Sequence, residues 1–208
     1  MSDKLIKSNG SYRHGNLREA ILATSLQIVE KEGIESLSIR EAAKKAGVTH
    51  QAPYRHFTDR EALLAALAAR GFRELYEHIE SRVAVAKEPL ERLCCAGEAY
   101  AAWSCRHPEH FRLMFSPSIP DYESDSELKE ITEKMLGAVL GLVSQCQQSG
   151  VIRQDDPRPL ARQFWAAIHG VSILHVDRQF KPLRDDDGAS IRLARQIVLN
   201  LVQGLKPR

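Results

Sequence analysis

The sequence predicts an all-α protein of about nine helices, with a small N-terminal head and a larger helical body. Apolar residues recur at three- and four-residue spacing along most of the chain, and nowhere does the period-two alternation of a strand appear. Helix-start signals precede these runs: Ser, Thr, Asp or Asn three residues before Glu, or proline in a first turn. Glycines close several of them. The chain has 208 residues, 43% hydrophobic and 27% charged, which suits an ordinary globular protein of one large or two small domains.

Residues 1–13 form a polar arm with Lys4, Lys7 and Arg13 as its cations. A frayed terminus and an arm that touches phosphate or the minor groove are both open readings. Asn16 and Glu19 suggest a cap for the first helix, with Ile21, Thr24, Ser25 and Ile28 as its inward stripe and Gly33 as its end. The stretch from Leu37 to Phe57, LSIREAAKKAGVTHQAPYRHF, then reads as two short helices about a glycine turn. Ser38 and Glu41 make a capping box, and Ile39, Ala42, Ala43 and Ala46 give the first of the pair one small apolar face. Gly47 stands where a helix ends in the left-handed conformation, and Thr49 is placed to cap the next helix. That second helix shows His50, Gln51, Tyr54, Arg55 and His56, with little apolar besides Ala52 and Phe57. Donors and cations on an exposed short helix after such a turn are the helix-turn-helix pattern, whose second helix enters the DNA major groove.

Thr58 and Glu61 make a further capping box, with Asp59 beside it, for a long alanine-rich helix reaching about Val85. Pro89 restarts the chain as a helix carrying Leu90, Leu93, Cys94, Gly97 and Ala101 on one face. Pro108 opens a short helix, SPSIPDYESDS is a loop, and a long helix with Leu128, Ile131, Met135, Val139, Leu142 and Cys146 closes at Gly150. Asp156-Pro157 starts the next helix, and a charged loop around RDDDG leads to the last, with Ala194, Val198, Val202 and Leu205.

From Arg18 to Leu64 the apolar, glycine and aromatic positions, including the Y-x-H-F of Tyr54 to Phe57, resemble the TetR family of bacterial transcriptional regulators. Gln51-Ala52 and the early Pro53 depart from the family pattern. Trp165, His169 and Gly170, spaced W-x-x-x-H-G, together with HPEHFRLMF, resemble the subgroup named for those three residues. The resemblance implies an arm and helix-turn-helix DNA-binding domain over residues 1–60 and a helical ligand-binding and dimerisation domain over 61–208. It implies a homodimer on a near-palindromic double-stranded DNA operator, with two reading helices about 34–36 Å apart, released as a repressor by a small, largely apolar effector. The long helix after the head is then the expected lever.

For DNA the expected residues are Ser38, Thr49, His50, Gln51, Ala52, Tyr54, Arg55, His56 and Arg60. Arg and Gln are the side chains suited to guanine and adenine edges; by the resemblance Tyr54 and His56 match family positions that contact phosphate, and Arg60 takes the place of the family's usual lysine. For the ligand pocket they are Tyr100, Trp103, Phe111, Met114, Phe115, Met135, Val139, Trp165 and His169. Aromatics at helical spacing also serve as plain core, and His169 fits either a ligand contact or a core histidine beside a close-packing Gly170. Pairing the last two helices through Ile168, Ile191, Ile197 and Leu201 is the expected dimer contact.

Net charge is +2, with 10 Lys+Arg against 7 Asp+Glu in residues 1–60, so the small positive excess sits where DNA would meet it. No run is apolar enough to span a bilayer, and no secretion signal follows the polar start, which points to a cytoplasmic, nucleoid-associated protein without membrane contact. The four cysteines are then expected as thiols. Cys94, Cys95, Cys105, His107 and His110 lie near one another in sequence, but their spacing matches no established zinc pattern, and small buried cysteines account for them equally. No metal or cofactor is expected. Neither G-x-S-x-G, a phosphate-binding glycine loop nor H-E-x-x-H occurs, so no enzyme is expected. A DNA-binding protein without a small ligand, and a metal or thiol sensor, remain as rival readings.

Overall fold

The computed structural model describes residues 14–179 and 186–207, so the arm with Lys4, Lys7 and Arg13 lies outside the described residues, as do Arg184 and Asp185 of the charged loop. The described residues contain eight α-helices, three short 3-10 helices and no strand. The helices are α1 (His14–Glu32), α2 (Ile39–Lys45), α3 (Arg60–Val83), α4 (Pro89–Arg106), α5 (Pro108–Met114), α6 (Ser126–Gln148), α7 (Pro157–Val176) and α8 (Asp187–Gly204). Two compact units divide the chain, one ending at Leu63 and the other beginning at Leu64, inside α3.

The first unit is held by local signals. α1 begins before Asn16, which therefore lies in its first turn and not at its cap. It buries Ile21, Leu22, Ser25, Ile28 and Val29, a wider stripe than the sequence suggests, while Thr24 turns aside and donates to the Ala20 carbonyl at 2.7 Å. Gly33 (φ +82) breaks the helix. The Ser38 hydroxyl caps α2 by accepting the Glu41 N–H at 3.1 Å, an interaction worth about 1 kcal/mol. α2 ends on Gly47 (φ +69), with the Val48 N–H on the Ala43 carbonyl and the Gly47 N–H on that of Lys44, both 3.1 Å. This is the Schellman closure that a left-handed residue makes available.

The ninth helix expected from the sequence is a 3-10 turn, Ala52–Arg55. Its bonds are three apart, from Ala52 N–H to the Thr49 carbonyl at 3.0 Å and from His56 N–H to the Pro53 carbonyl at 2.8 Å. Pro53 has no N–H to extend an α-helical ladder, which favours the tighter form. Thr49 contributes its carbonyl, and no hydroxyl cap forms at the start of this turn. At α3 the cap is Asp59 in place of the expected Thr58. Asp59 Oδ1 accepts the Ala62 N–H at 2.8 Å, and that bond, followed by one from the Thr58 hydroxyl, holds its carboxyl below the usual range.

In the second unit α4 packs on α6, α7 and α8, and α7 also packs on α6 and α8. Asp125, Asp156 and Asp186 cap α6, α7 and α8, accepting N–H groups at 2.9, 3.0 and 3.0 Å. Close approach depends on glycine at two positions. A Cβ on Gly97 would stand 3.2 Å from Val198 Cγ2 and 3.4 Å from Ile168 Cδ1. One on Gly71 would stand 2.5 Å from Met114 Sδ and 2.6 Å from His110 Nε2. Gly170, by contrast, has nothing within 4 Å of a built Cβ, so it is not the close-packing glycine the sequence suggested. Arg195 clamps α8 to α4, with Nη1 and Nη2 donating to the two Glu91 oxygens at 2.9 and 2.6 Å and Nη1 to Glu98 at 3.2 Å.

Two glycine-to-alanine substitutions should move stability in opposite directions in urea unfolding. Gly71→Ala forces a methyl against Met114 and His110 and should lower stability by roughly 1–3 kcal/mol. Gly137→Ala in α6, where a Cβ meets nothing within 4 Å, should raise it by roughly 0.5–1 kcal/mol.

Candidate nucleic-acid interface and candidate ligand cavity

Pro53 and Phe57 are buried and fix the 3-10 turn to the first unit, with the Arg18 guanidinium 5.7 Å from the Phe57 ring centroid. The residues between and before them face out. Thr49, His50, Gln51, Tyr54, Arg55 and His56 are all exposed, Tyr54 by 47%, while Ala52 is half-buried. Among the described residues none of the side chains of His50, Gln51, Tyr54 and Arg55 makes a hydrogen bond or ion pair. Tyrosine, glutamine and arginine donors left without internal partners on one short turn are free to bond phosphate oxygens and base edges.

Arg60 and Ser38 are placed differently. Arg60 Nε donates to the Leu37 carbonyl at 2.9 Å and Nη2 to that of Ile34 at 2.8 Å, so the guanidinium ties the start of α3 to the loop before α2. Ser38 uses an oxygen lone pair as cap and keeps its hydroxyl proton to donate.

The second unit contains a cavity of about 340 Å³ with almost wholly apolar walls. Five of the nine expected pocket residues line it: Tyr100, Phe115, Met135, Val139 and Trp165. Four do not. Trp103, Phe111 and Met114 are buried core, with Met114 filling the space beside Gly71 and the Phe111 ring 5.7 Å from Tyr100. His169 stands one layer behind the wall. Its Nδ1 is 2.9 Å from the Tyr100 hydroxyl, and its ring is surrounded by Phe115, Phe111, Trp165 and Tyr100 at 4.3, 5.5, 5.6 and 6.3 Å. Burial pushes the His169 pKa down, which favours the neutral ring, whose Nδ1 can accept the hydrogen bond of the Tyr100 hydroxyl. Burial pushes Tyr100 up in turn, keeping it a donor.

The sequence reading missed the wall contributed by α3. Phe72, Tyr76, Ile79 and Glu80 face the cavity together with Tyr122, Phe164, Leu142 and Ile168. The spacing of the four α3 residues, i, i+4, i+7 and i+8, is a helical stripe and was readable. Tyr122 follows a loop, where no periodicity exists; its hydroxyl is fixed to the Met114 carbonyl at 2.9 Å. Ile168, expected at a dimer surface, is buried and lines the cavity, because it points towards Gly97 on α4. Ile191, Ile197 and Leu201 are half-buried.

Cys105, His107 and His110 do not converge. His110 is a core residue whose Nε2 lies 3.0 Å from the Leu67 carbonyl, so it donates there. Among the described residues the one group of three metal-capable side chains is Glu91, Cys95 and Glu98, and the Arg195 guanidinium already occupies both carboxylates.

What the first unit exposes is a polar, arginine-bearing turn that follows a capped helix and a glycine turn, and comparison with known proteins says in which kind of protein this arrangement occurs. The family described as "Bacterial regulatory proteins, tetR family" matches residues 21–67, and "Tetracyclin repressor-like, C-terminal domain" matches residues 93–197. The chain belongs to the TetR family of DNA-binding transcriptional regulators. It is similar to the uncharacterised HTH-type transcriptional regulator YobS of Bacillus subtilis, 27% identical over 85% of this chain and 87% of that protein. A solved structure from Rhodococcus sp. RHA1, of unknown function, superposes with TM-score 0.80 at 30% identity, covering 96% of this chain and all of that one. The fold is also that of the regulator FadR from B. subtilis in complex with stearoyl-CoA, with TM-score 0.71 at 18% identity over 90% and 98% of the two chains. Among the described residues no helix is long and apolar enough to cross a membrane.

The burial of the cysteines yields a labelling prediction. Burial pushes the thiols of Cys94 and Cys146 up to about 11, so at pH 8 only about one in a thousand is thiolate. Peptide mapping after brief alkylation of the native protein should find Cys95 and Cys105, both half-buried, modified well ahead of Cys94 and Cys146.

Proposed function

We propose that the protein is a homodimeric repressor that leaves a near-palindromic operator when a small, largely apolar effector enters the second unit. The observation that carries the effector is the 340 Å³ apolar cavity, within the size range of small-molecule sites and too large to be a packing defect. Trp165 in its wall, with the His169 ring 5.6 Å behind it and Gly170 next in sequence, supports grouping this unit with the subgroup that shares those three residues. The stearoyl-CoA bound by FadR supports an effector with an alkyl portion.

Tyr54, Arg55, Gln51 and His50 read the operator in this scheme, with Ser38 and His56 on phosphates, and Arg60 holds the turn in place more than it reads. The dimer face is taken from α7 and α8. Leu174 (38% exposed), Ile173, Ile191, Ile197 and Leu201 offer apolar surface, and the open space over Gly170 leaves room for a partner helix. α3, which runs from the first unit into the second and supplies Phe72, Tyr76 and Ile79 to the cavity wall, is the coupling element. In this reading the protein works on DNA in the cytoplasm and is not an enzyme.

Anisotropy of a labelled operator, found by selection from genomic DNA, tests the reading. Arg55→Ala should weaken binding roughly ten- to a hundredfold while the circular dichroism and the dimer are unchanged. Tyr54→Ala should weaken it less, and wild-type affinity should fall steeply with salt. Undiminished affinity in both variants would remove the 3-10 turn from the reading surface.

A further inference from the structure

The cavity has a charge at its mouth, and that charge says what kind of head group its ligand carries. Trp165 (48% exposed) and Leu136 (45% exposed) both line the cavity, so it opens to solvent between α7 and α6. Arg162 lines the same opening, one helical turn before Trp165 on α7. It is the one cation of the lining among the described residues, and its guanidinium makes no ion pair or hydrogen bond there. Most other arginines of this unit are bound: Arg195 to Glu91 and Glu98, Arg112 to Asp177, Arg92 to Gln145. The lining holds one carboxylate, Glu80 on α3, and it faces a protein donor, the Tyr76 hydroxyl, whose pKa burial raises first and Glu80 raises second. Glu80 therefore has a partner in the wall, whereas Arg162 has its planar pair of donors unoccupied.

We infer that the effector is an alkyl carboxylate whose head group pairs with Arg162 at the mouth while its alkyl chain fills the cavity. This rests on the reading of the cavity as an effector site. The guanidinium fork matches a carboxylate with two parallel hydrogen bonds. Beneath it the walls formed by Leu93, Val139, Leu142 and Phe164 offer no further charge.

Calorimetric titration of the intact protein with decanoate, decanol and decylammonium, each below its aggregation threshold, separates the components. Decanoate should bind at least tenfold more tightly than decanol, and decylammonium more weakly than either. Arg162→Gln should bring decanoate down to the affinity of decanol and leave decanol unchanged, and Arg162→Lys should restore part of the difference. Equal affinity for acid and alcohol in the wild type, preference for the amine, or an equal loss of both ligands in Arg162→Gln overturns the head-group assignment while leaving the cavity as a binding site. If no ligand of the three binds, the effector reading falls and this inference falls with it.

Discussion

The second unit is built on the close approach that Gly97 permits. With hydrogen in place of a side chain, α4 lies close to Val198 on α8 and Ile168 on α7, and a Cβ would press on Val198 at 3.2 Å while meeting Ile168 at ordinary contact distance. The same stripe of α4 carries Leu93, Ala96 and Tyr100. Its small members, Ala96 and Gly97, project too little to fill the space that α3 and α6 enclose, so one sequence feature produces both a close helix contact and a hollow. Arg195 then secures the pair by linking α8 to two carboxylates of α4. Dense packing on one side and a hollow on the other is a division of labour that uniform core packing would not give.

The first unit applies the reverse logic, anchoring a few apolar residues so that polar ones stay free. Proline at position 53 shortens the second helix of the pair to a 3-10 turn, whose threefold repeat places Pro53 inside and Tyr54 and Arg55 outside. Phe57 closes the turn as a buried anchor, and Arg60 fastens the following helix to the carbonyls of Ile34 and Leu37. An exposed polar surface on so short an element is held by these flanking contacts, since a single turn has little stability of its own.

How far the sequence discloses this structure depends on how local the signal is. The Ser38 cap, the Gly33, Gly47 and Gly150 terminations and the Asp156-Pro157 start are set by a residue and its near neighbours, and each forms as the sequence indicates. The caps expected of Thr49 and Thr58 do not, because a stronger competitor stands next door: Pro53 alters the turn, and Asp59 is a better acceptor for the free Ala62 N–H. Helical periodicity identifies which face of a helix turns inward. It cannot say whether that face meets another side chain or a hollow, which is why Trp103, Phe111 and Met114 prove to be core while Phe115 and Met135 line the cavity. Ile168 is the sharpest case, since a stripe that looks free to pair with a second copy is consumed by α4 of its own chain.

The hollow also fixes the scale of the energetics. Walls lining apolar space forgo packing contacts at roughly 24 cal/mol for each Å³, so filling a cavity of this size with alkyl groups is worth on the order of several kcal/mol. Only the part of that energy that differs between two conformations of the protein can shift their populations. A hundredfold change in DNA affinity requires a differential of about 2.8 kcal/mol, well inside what filling provides. Reciprocity then applies: DNA that favours the conformation with the narrower cavity must weaken the ligand by the same factor. Apolar filling is indifferent to the chemistry of the head group, so in the proposed scheme it supplies the energy of the switch, while the Arg162 guanidinium at the mouth supplies the choice of ligand. On that proposal affinity and selectivity are separable in this unit, the first residing in the volume left beside Gly97 and the second in Arg162.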